Sequence, residues 1–169
     1  FEKMLYDNAL LIMAYCKAYT VTKKSLYLEI AEKTAAYILR EMTDPKGGFY
    51  SAQDADSDGE EGKYYLFTPE EVFNLLGQTD GAAFCRQFGI TASGNFEGKS
   101  IPNLLAGDLS DRTFDPFLER ICQYRRKRCV LHLDDKILTS WNALMISAMC
   151  WLYQAGGNVT YLNCAKRAD

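Results

Sequence analysis

The chain has 169 residues, with 19 basic and 22 acidic side chains and a formal net charge of −3. That balance excludes the strongly basic surface that nucleic acid or an anionic membrane would require. No apolar run is long enough to span a bilayer, and the length suffices to bury a core.

Leu5 to Tyr19 is apolar nearly all round (Leu5, Ala9, Leu10, Leu11, Ile12, Met13, Ala14, Cys16), which predicts a helix buried on every side. From about Ser25 to Met42 the pattern turns amphipathic. Tyr27, Ala31, Thr34, Ala35, Ile38 and Met42 line one face, and Glu29, Glu32, Lys33 and Arg40 the other. A buried helix followed by a half-exposed one reads as an inner/outer helical hairpin. Residues 47–68 then place two aromatic runs around an acidic, glycine-punctuated turn. This predicts one β-hairpin, Phe49–Ala52 paired with Lys63–Phe67, with a carboxylate-rich tip. Thr68-Pro69-Glu70-Glu71 is a capping box with proline at the first helical position, and Gly77 ends that helix. Ala82 to Phe88 predicts a short helix stopped by Gly89. Asp115-Pro116 opens another that runs to about Arg128, where Arg125, Arg126, Lys127 and Arg128 oppose the negative end of the helix dipole. Trp141 to Tyr153 returns to the inner type, and Tyr161 onward to the outer type.

The chain also repeats itself without gaps. Asn8-Ala9-Leu10 recurs 134 residues later as Asn142-Ala143-Leu144, and Ile12, Ala14, Cys16 and Tyr19 meet Ile146, Ala148, Cys150 and Tyr153. Tyr27-Leu28 meets Tyr161-Leu162, and Ala31 meets Ala165. Such register points to a repeat-built helical array. The second copy stops roughly two turns into its outer helix. The expectation is a fragment, residues 1–169 of a single larger helical domain, whose uncovered apolar faces would drive self-association.

The six cysteines, at 16, 85, 122, 129, 150 and 164, form no Cys-x-x-Cys pair, and Cys16 and Cys150 sit in apolar helical runs. Reduced thiols and a cytoplasmic chain follow. Cys122, Cys129 and His132 fit no common zinc spacing and lack a fourth ligand, so no metal and no other cofactor is expected. Asp54-Ala55-Asp56-Ser57-Asp58-Gly59 begins like an EF-hand calcium loop. Tyr65 at position twelve breaks the match, which leaves calcium binding by a loop of another type open.

Several motifs together resemble one family: Phe-Glu-Lys-Met-Leu-Tyr-Asp-Asn at 1–8, Gly-Gly-Phe-Tyr-Ser-Ala-Gln-Asp-Ala-Asp-Ser at 47–57, Glu-Glu-Gly-Lys-Tyr-Tyr at 60–65, Asn-Phe-Glu-Gly-Lys at 95–99 and Leu-Asp-Asp-Lys-Ile-Leu-Thr-Ser-Trp-Asn at 133–142. They are similar to the spermatogenesis-associated protein family with an amino-terminal thioredoxin-like domain, whose bacterial members are called YyaL-type. Ala143 departs from the glycine expected after Trp-Asn. The resemblance implies an all-α fold, part of an (α/α)6 toroid of helical hairpins with one inserted β-hairpin, similar to N-acylglucosamine 2-epimerases and six-hairpin glycosidases. It also implies a thioredoxin-like domain elsewhere in the full-length protein.

In such an array the starts of inner helices and the ends of outer helices share one rim. Chain direction alone therefore puts residues 2–8, 47–67 and 134–142 on that rim, where helix amino termini suit hydroxyl-rich or anionic ligands. Asp7, Asp54, Asp56 and Asp135 are the candidate acid/base carboxylates. Tyr6, Tyr50, Trp141, Asn142 and Lys136 are the candidate substrate-binding residues. A purely structural alternative pairs Glu2, Lys3, Asp134, Asp135 and Lys136 with one another and with helix ends. His132 is the sole histidine, which counts against a complete epimerase site in this chain. Three function classes stay open: a sugar-active or sugar-binding barrel, a redox-linked interaction module without catalysis attached to a thioredoxin-like domain, and a calcium-stabilised structural module.

Overall fold

The apolar runs become helices in the computed structural model, which describes residues 1–169. In chain order the helices are α1 (Leu5–Thr22), α2 (Ser25–Glu41), α3 (Pro69–Leu76), α4 (Gln78–Gln87), α5 (Asp115–Arg128), α6 (Thr139–Gly156) and α7 (Val159–Ala168). Five two-residue strands accompany them: β1 (Lys3–Met4), β2 (Ala52–Gln53), β3 (Asp56–Ser57), β4 (Glu60–Glu61) and β5 (Leu133–Asp134). Helices hold 56% of the residues, so the chain is mainly helical with a small inserted hairpin, as expected. It divides into two units, one of residues 2–54 and 132–169, the other of Phe1 and residues 55–131.

The first unit is two helical hairpins, α1/α2 and α6/α7. Their boundaries carry the sequence repeat into three dimensions. Leu5 and Thr139 open the inner helices, and Ser25 and Val159 the outer ones, each pair 134 residues apart. Lys23 and Gly157 close the inner helices in the left-handed conformation (φ 59° and 77°), each returning its N–H to a tyrosine carbonyl. The two repeat asparagines make the same bond. Asn8 Nδ2 donates to the Met4 carbonyl at 2.7 Å, and Asn142 Nδ2 to the Leu138 carbonyl at 3.1 Å.

The core is shared by both hairpins. α1 contributes Leu5, Ala9, Ile12 and Cys16, a stripe at helical spacing, and meets Ala35 and Ile38 of α2 and Met145, Ala148, Met149 and Leu152 of α6. The expectation of a helix buried on every side fails for α1, because α2 and α6 cover only one arc of it. Leu10 and Leu11 are 50% and 48% exposed. All six cysteines are unbridged. Thiol titration in denaturant without reductant should therefore count six; fewer would reveal a disulfide. In the native protein Cys16 should react slowest, since burial first and Glu32 second push its thiol up to about 11.

In the second unit, Asp58-Gly59 turns β3 into β4 with both residues at positive φ (54° and 76°), the type I′ geometry that an Asp-Gly pair favours. The hairpin is thus four residues and a tip, not Phe49–Ala52 paired with Lys63–Phe67. After Gly62 (φ 72°) the N–H groups of Tyr65 and Leu66 both return to the Gly62 carbonyl, which coils the second aromatic run into turns. Phe67 alone bridges Ser100. The capping box forms as expected, with Thr68 and Glu71 bonding reciprocally at 2.8 and 3.3 Å. Gly77 ends α3 and also caps the start of α4, which begins earlier than the predicted Ala82. Phe67, Val72, Leu76, Phe84, Cys85, Ile90 and Ile121 form this unit's core.

A candidate rim site at the starts of the inner helices

The first aromatic run finds its partners far away in sequence. β2 is the middle strand of a three-stranded antiparallel sheet, with Met4, Ala52 and Asp134 in one row and Lys3, Gln53 and Leu133 in the next. Ser51 extends it: its carbonyl accepts from Leu5 N–H (2.9 Å), and its N–H and hydroxyl both donate to the Asp134 carbonyl (3.1 Å). The sheet ties the start of α1, the loop after α2 and the approach to α6 into one platform. Gly47 permits this path. Its φ of 124° suits glycine, and a Cβ there would collide with the Arg167 carbonyl.

Several of the named side chains lie on the segments that the sheet joins. Tyr6 and Trp141, both half-buried, meet edge to face with centroids 4.9 Å apart. Tyr50 donates its hydroxyl to Asp44 Oδ2 at 2.9 Å. The Lys46 N–H, then the Tyr50 hydroxyl, hold the Asp44 carboxyl below its ordinary range. The bond to Asp44, then burial and the nearby charges of Asp44 and Asp135, raise the Tyr50 phenol. Asp7 is exposed in the first turn of α1, where the helix dipole favours an acid. Asp54 is exposed just past β2, with its N–H on the His132 carbonyl (3.0 Å). Asp135 is exposed beside β5. Asp56 belongs to the other unit, in β3.

Besides Tyr50, two of the named residues are engaged within the protein. Lys136 pairs with Asp134 at 2.9 Å and holds that carboxyl low, part of the ion pairing that the structural alternative anticipates. Asn142 is buried. Its Oδ1 accepts from Phe49 N–H at 2.7 Å, and its Nδ2 donates to the Phe49 carbonyl at 2.9 Å and the Leu138 carbonyl at 3.1 Å. Both amide hydrogens are thus committed, and Asn142 acts as a clamp on the loop after α2. Sequence reasoning missed Asp44 and Gln53, whose Oε1 accepts from Tyr37 at 2.6 Å. The signal for Asp44 was present in Asp-Pro-x-Gly-Gly, a turn whose acid caps its own backbone; Asp44 Oδ1 accepts from Lys46 N–H at 2.7 Å.

No group of three or more His, Cys, Asp or Glu side chains lies close enough to hold a metal ion. In the acidic tip, Asp58 pairs with Lys63 at 3.0 Å and Glu60 with Lys99 at 2.7 Å. A groove of about 300 Å³ opens elsewhere, between the last turns of α1 and α6, lined by Cys16, Lys17, Thr20, Trp151, Gln154 and Ala155. It lies at the opposite end of the inner helices from the platform.

The basic run of α5 does more than face the helix dipole. The Arg125 guanidinium sits over Tyr64 (4.8 Å) and Tyr65 (5.4 Å), and that of Arg128 over Phe67 (4.8 Å) and Tyr124 (5.5 Å). Arg128 also pairs with Glu71 at 2.8 Å and donates to the Lys63 and Tyr64 carbonyls at 2.6 and 3.2 Å.

Comparison with known proteins adds the remaining fact. The chain is 34% identical to human and 32% identical to mouse spermatogenesis-associated protein 20, over 87% of its own length in both cases. That similarity supports the spermatogenesis-associated protein family. An uncharacterised protein of Caenorhabditis elegans is 29% identical over 99% of the chain. No protein-family profile matches. The chain spans 23% of the length of the human and mouse relatives.

Proposed function

We propose that the platform end of the two helical hairpins is a rim site for a hydroxyl-rich small molecule of the sugar class, in a toroid of such hairpins. The three-stranded sheet carries this reading, because it gathers the starts of both inner helices and the loop after α2. Trp141 and Tyr6 supply a stacking face, and the exposed Asp7, Asp54 and Asp135 supply acceptors for hydroxyl groups. Carboxylates so placed suit acid/base work on a sugar carbon or glycosidic bond. The whole protein would add a thioredoxin-like domain, and the six unbridged thiols of residues 1–169 suit a reducing, cytoplasmic setting.

The test is saturation-transfer NMR on the full-length polypeptide with a panel of hexoses, N-acylhexosamines and short glycans. At least one should bind, with signal lost in Trp141→Ala and affinity reduced at least about fivefold in Asp135→Asn. The Asp135→Asn melting temperature should stay unchanged, since that side chain is exposed. No binding across the panel would refute the sugar reading. Thiol-dependent capture of protein partners by the same polypeptide, with no glycan bound, would favour the redox-linked interaction module.

A further inference from the structure

The groove at the far end of the inner helices has a chemistry of its own. Of its lining residues only Cys16 is buried; Lys17, Thr20 and Gln154 are exposed, and the Trp151 ring keeps 43% of its surface. The walls are repeat counterparts. Lys17 and Trp151 stand 134 residues apart, and so do Thr20 and Gln154. The neighbouring pairs Cys16/Cys150 and Tyr19/Tyr153 are identical. The two copies therefore diverge at the groove, into an ammonium on one wall and an indole on the other.

Charge decides what can enter. α1 has two charged side chains, Asp7 and Lys17, and α6 has none. Asp7 lies about 15 Å from Lys17 along the helix. The positions three and four away from Lys17 hold Met13, Ala14, Thr20 and Val21, so no carboxylate of its own helix reaches it. The helix dipole does not account for it either, because the last turn of α1 holds no base. Glu32, whose charge Cys16 feels, belongs to α2 and does not line the groove. Thr20 commits its hydroxyl hydrogen to the Cys16 carbonyl at 2.9 Å. The groove thus offers one unpaired positive charge, one neutral amide and one aromatic face.

We propose that this groove binds a small planar carboxylate, with its ring against Trp151, its carboxylate on Lys17 Nζ and the Gln154 amide as a second donor. A volume of about 300 Å³ is at the low end for small-molecule sites, which favours a single ring with a short acid arm over a nucleotide or a glycan. Stacking on an indole and pairing with an ammonium are both needed, since each alone is weak at an exposed site.

The test is fluorine NMR on the full-length polypeptide labelled with 5-fluorotryptophan, with the Trp151 and Trp141 resonances assigned from Trp151→Phe and Trp141→Phe. Benzoate and phenylacetate should shift the Trp151 resonance saturably and leave that of Trp141 in place. Benzamide, which keeps the ring without the charge, should bind more weakly by about fivefold. Lys17→Met should weaken benzoate by about the same factor at an unchanged melting temperature, and Lys17→Arg should restore it. No saturable shift at Trp151, a shift confined to Trp141, equal binding of benzamide and benzoate, or unchanged benzoate affinity in Lys17→Met would each overturn the proposal. The probes and the tryptophan that reports them differ from those of the glycan panel, so failure here leaves the platform reading to its own test.

Discussion

Asn142→Ala should destabilise the hairpin unit by about 3 kcal/mol in urea unfolding, among the larger effects of any single substitution in the chain. The side chain makes three hydrogen bonds, and two of them satisfy the N–H and C=O of Phe49, a residue with no exposed surface. Removing the amide leaves both groups buried without partners, and each costs about 1–3 kcal/mol. Asn142→Asp is the sharper control. It keeps the acceptor for Phe49 N–H but sets a carboxylate oxygen against the Phe49 and Leu138 carbonyls, so it should be at least as damaging. If either variant unfolds within about 0.5 kcal/mol of the parent, the clamp does not hold the loop.

Arg128→Ala should cost the other unit about 3 kcal/mol, with loss of hydrogen-exchange protection centred on residues 64–76. The guanidinium joins Glu71, two main-chain carbonyls and two ring faces at once. Arg128→Lys should not rescue it, because an ammonium cannot bridge the carboxylate and the carbonyls while stacking. The pH dependence follows from Glu71. Burial raises its carboxyl, but the Thr68 N–H, Arg128 and the Tyr124 hydroxyl outweigh burial and leave it below its ordinary value of 4.5. A carboxyl lowered in the folded state stabilises fully above its unfolded value, and that stability fades as pH falls through the folded value. Parent stability should thus decline below about pH 4.5, and the decline should be shallower in Arg128→Ala. An acid limb identical in both proteins would show that the pair contributes nothing.

Much of the helical frame was legible in the sequence because its determinants are local or periodic. The 134-residue repeat foretold both hairpins, and the starts of α1, α2, α6 and α7 keep that register. The Thr68 capping box and the extent of α5 were readable for the same reason. The strand partners were not. Two-residue strands carry almost no alternation, and the partners of Ala52–Gln53 lie near residues 3 and 133, beyond any local window. The aromatic run at 64–67 looked like a strand but coils beneath two arginines, an arrangement set by tertiary packing. At the candidate site, chain direction put residues 2–8, 47–67 and 134–142 on one rim; the sheet joins Lys3–Met4, Ala52–Gln53 and Leu133–Asp134, while residues 55–67 belong to the other unit. Chain direction could not tell which polar side chains would be engaged internally. Asn142 looked like a ligand-facing amide, and burial made it a clamp.

The platform sheet also makes the chain modular in a way its length conceals. β2 and β5 are antiparallel neighbours, and Asp54 N–H reaches the His132 carbonyl at 3.0 Å, so the two points where residues 55–131 leave and rejoin the hairpin unit sit side by side. An excursion with adjacent ends can grow or shrink at low entropic cost, about 0.6 kcal/mol for each doubling of its length. The same geometry would accept a two-residue Asn-Gly turn in place of the whole excursion, converting β2 and β5 into an ordinary hairpin. Replacing residues 55–131 by such a turn should therefore leave the helices of the frame on their paths, with Phe1, which packs on Tyr65 and Phe96, as the one frame-side residue to lose its partners.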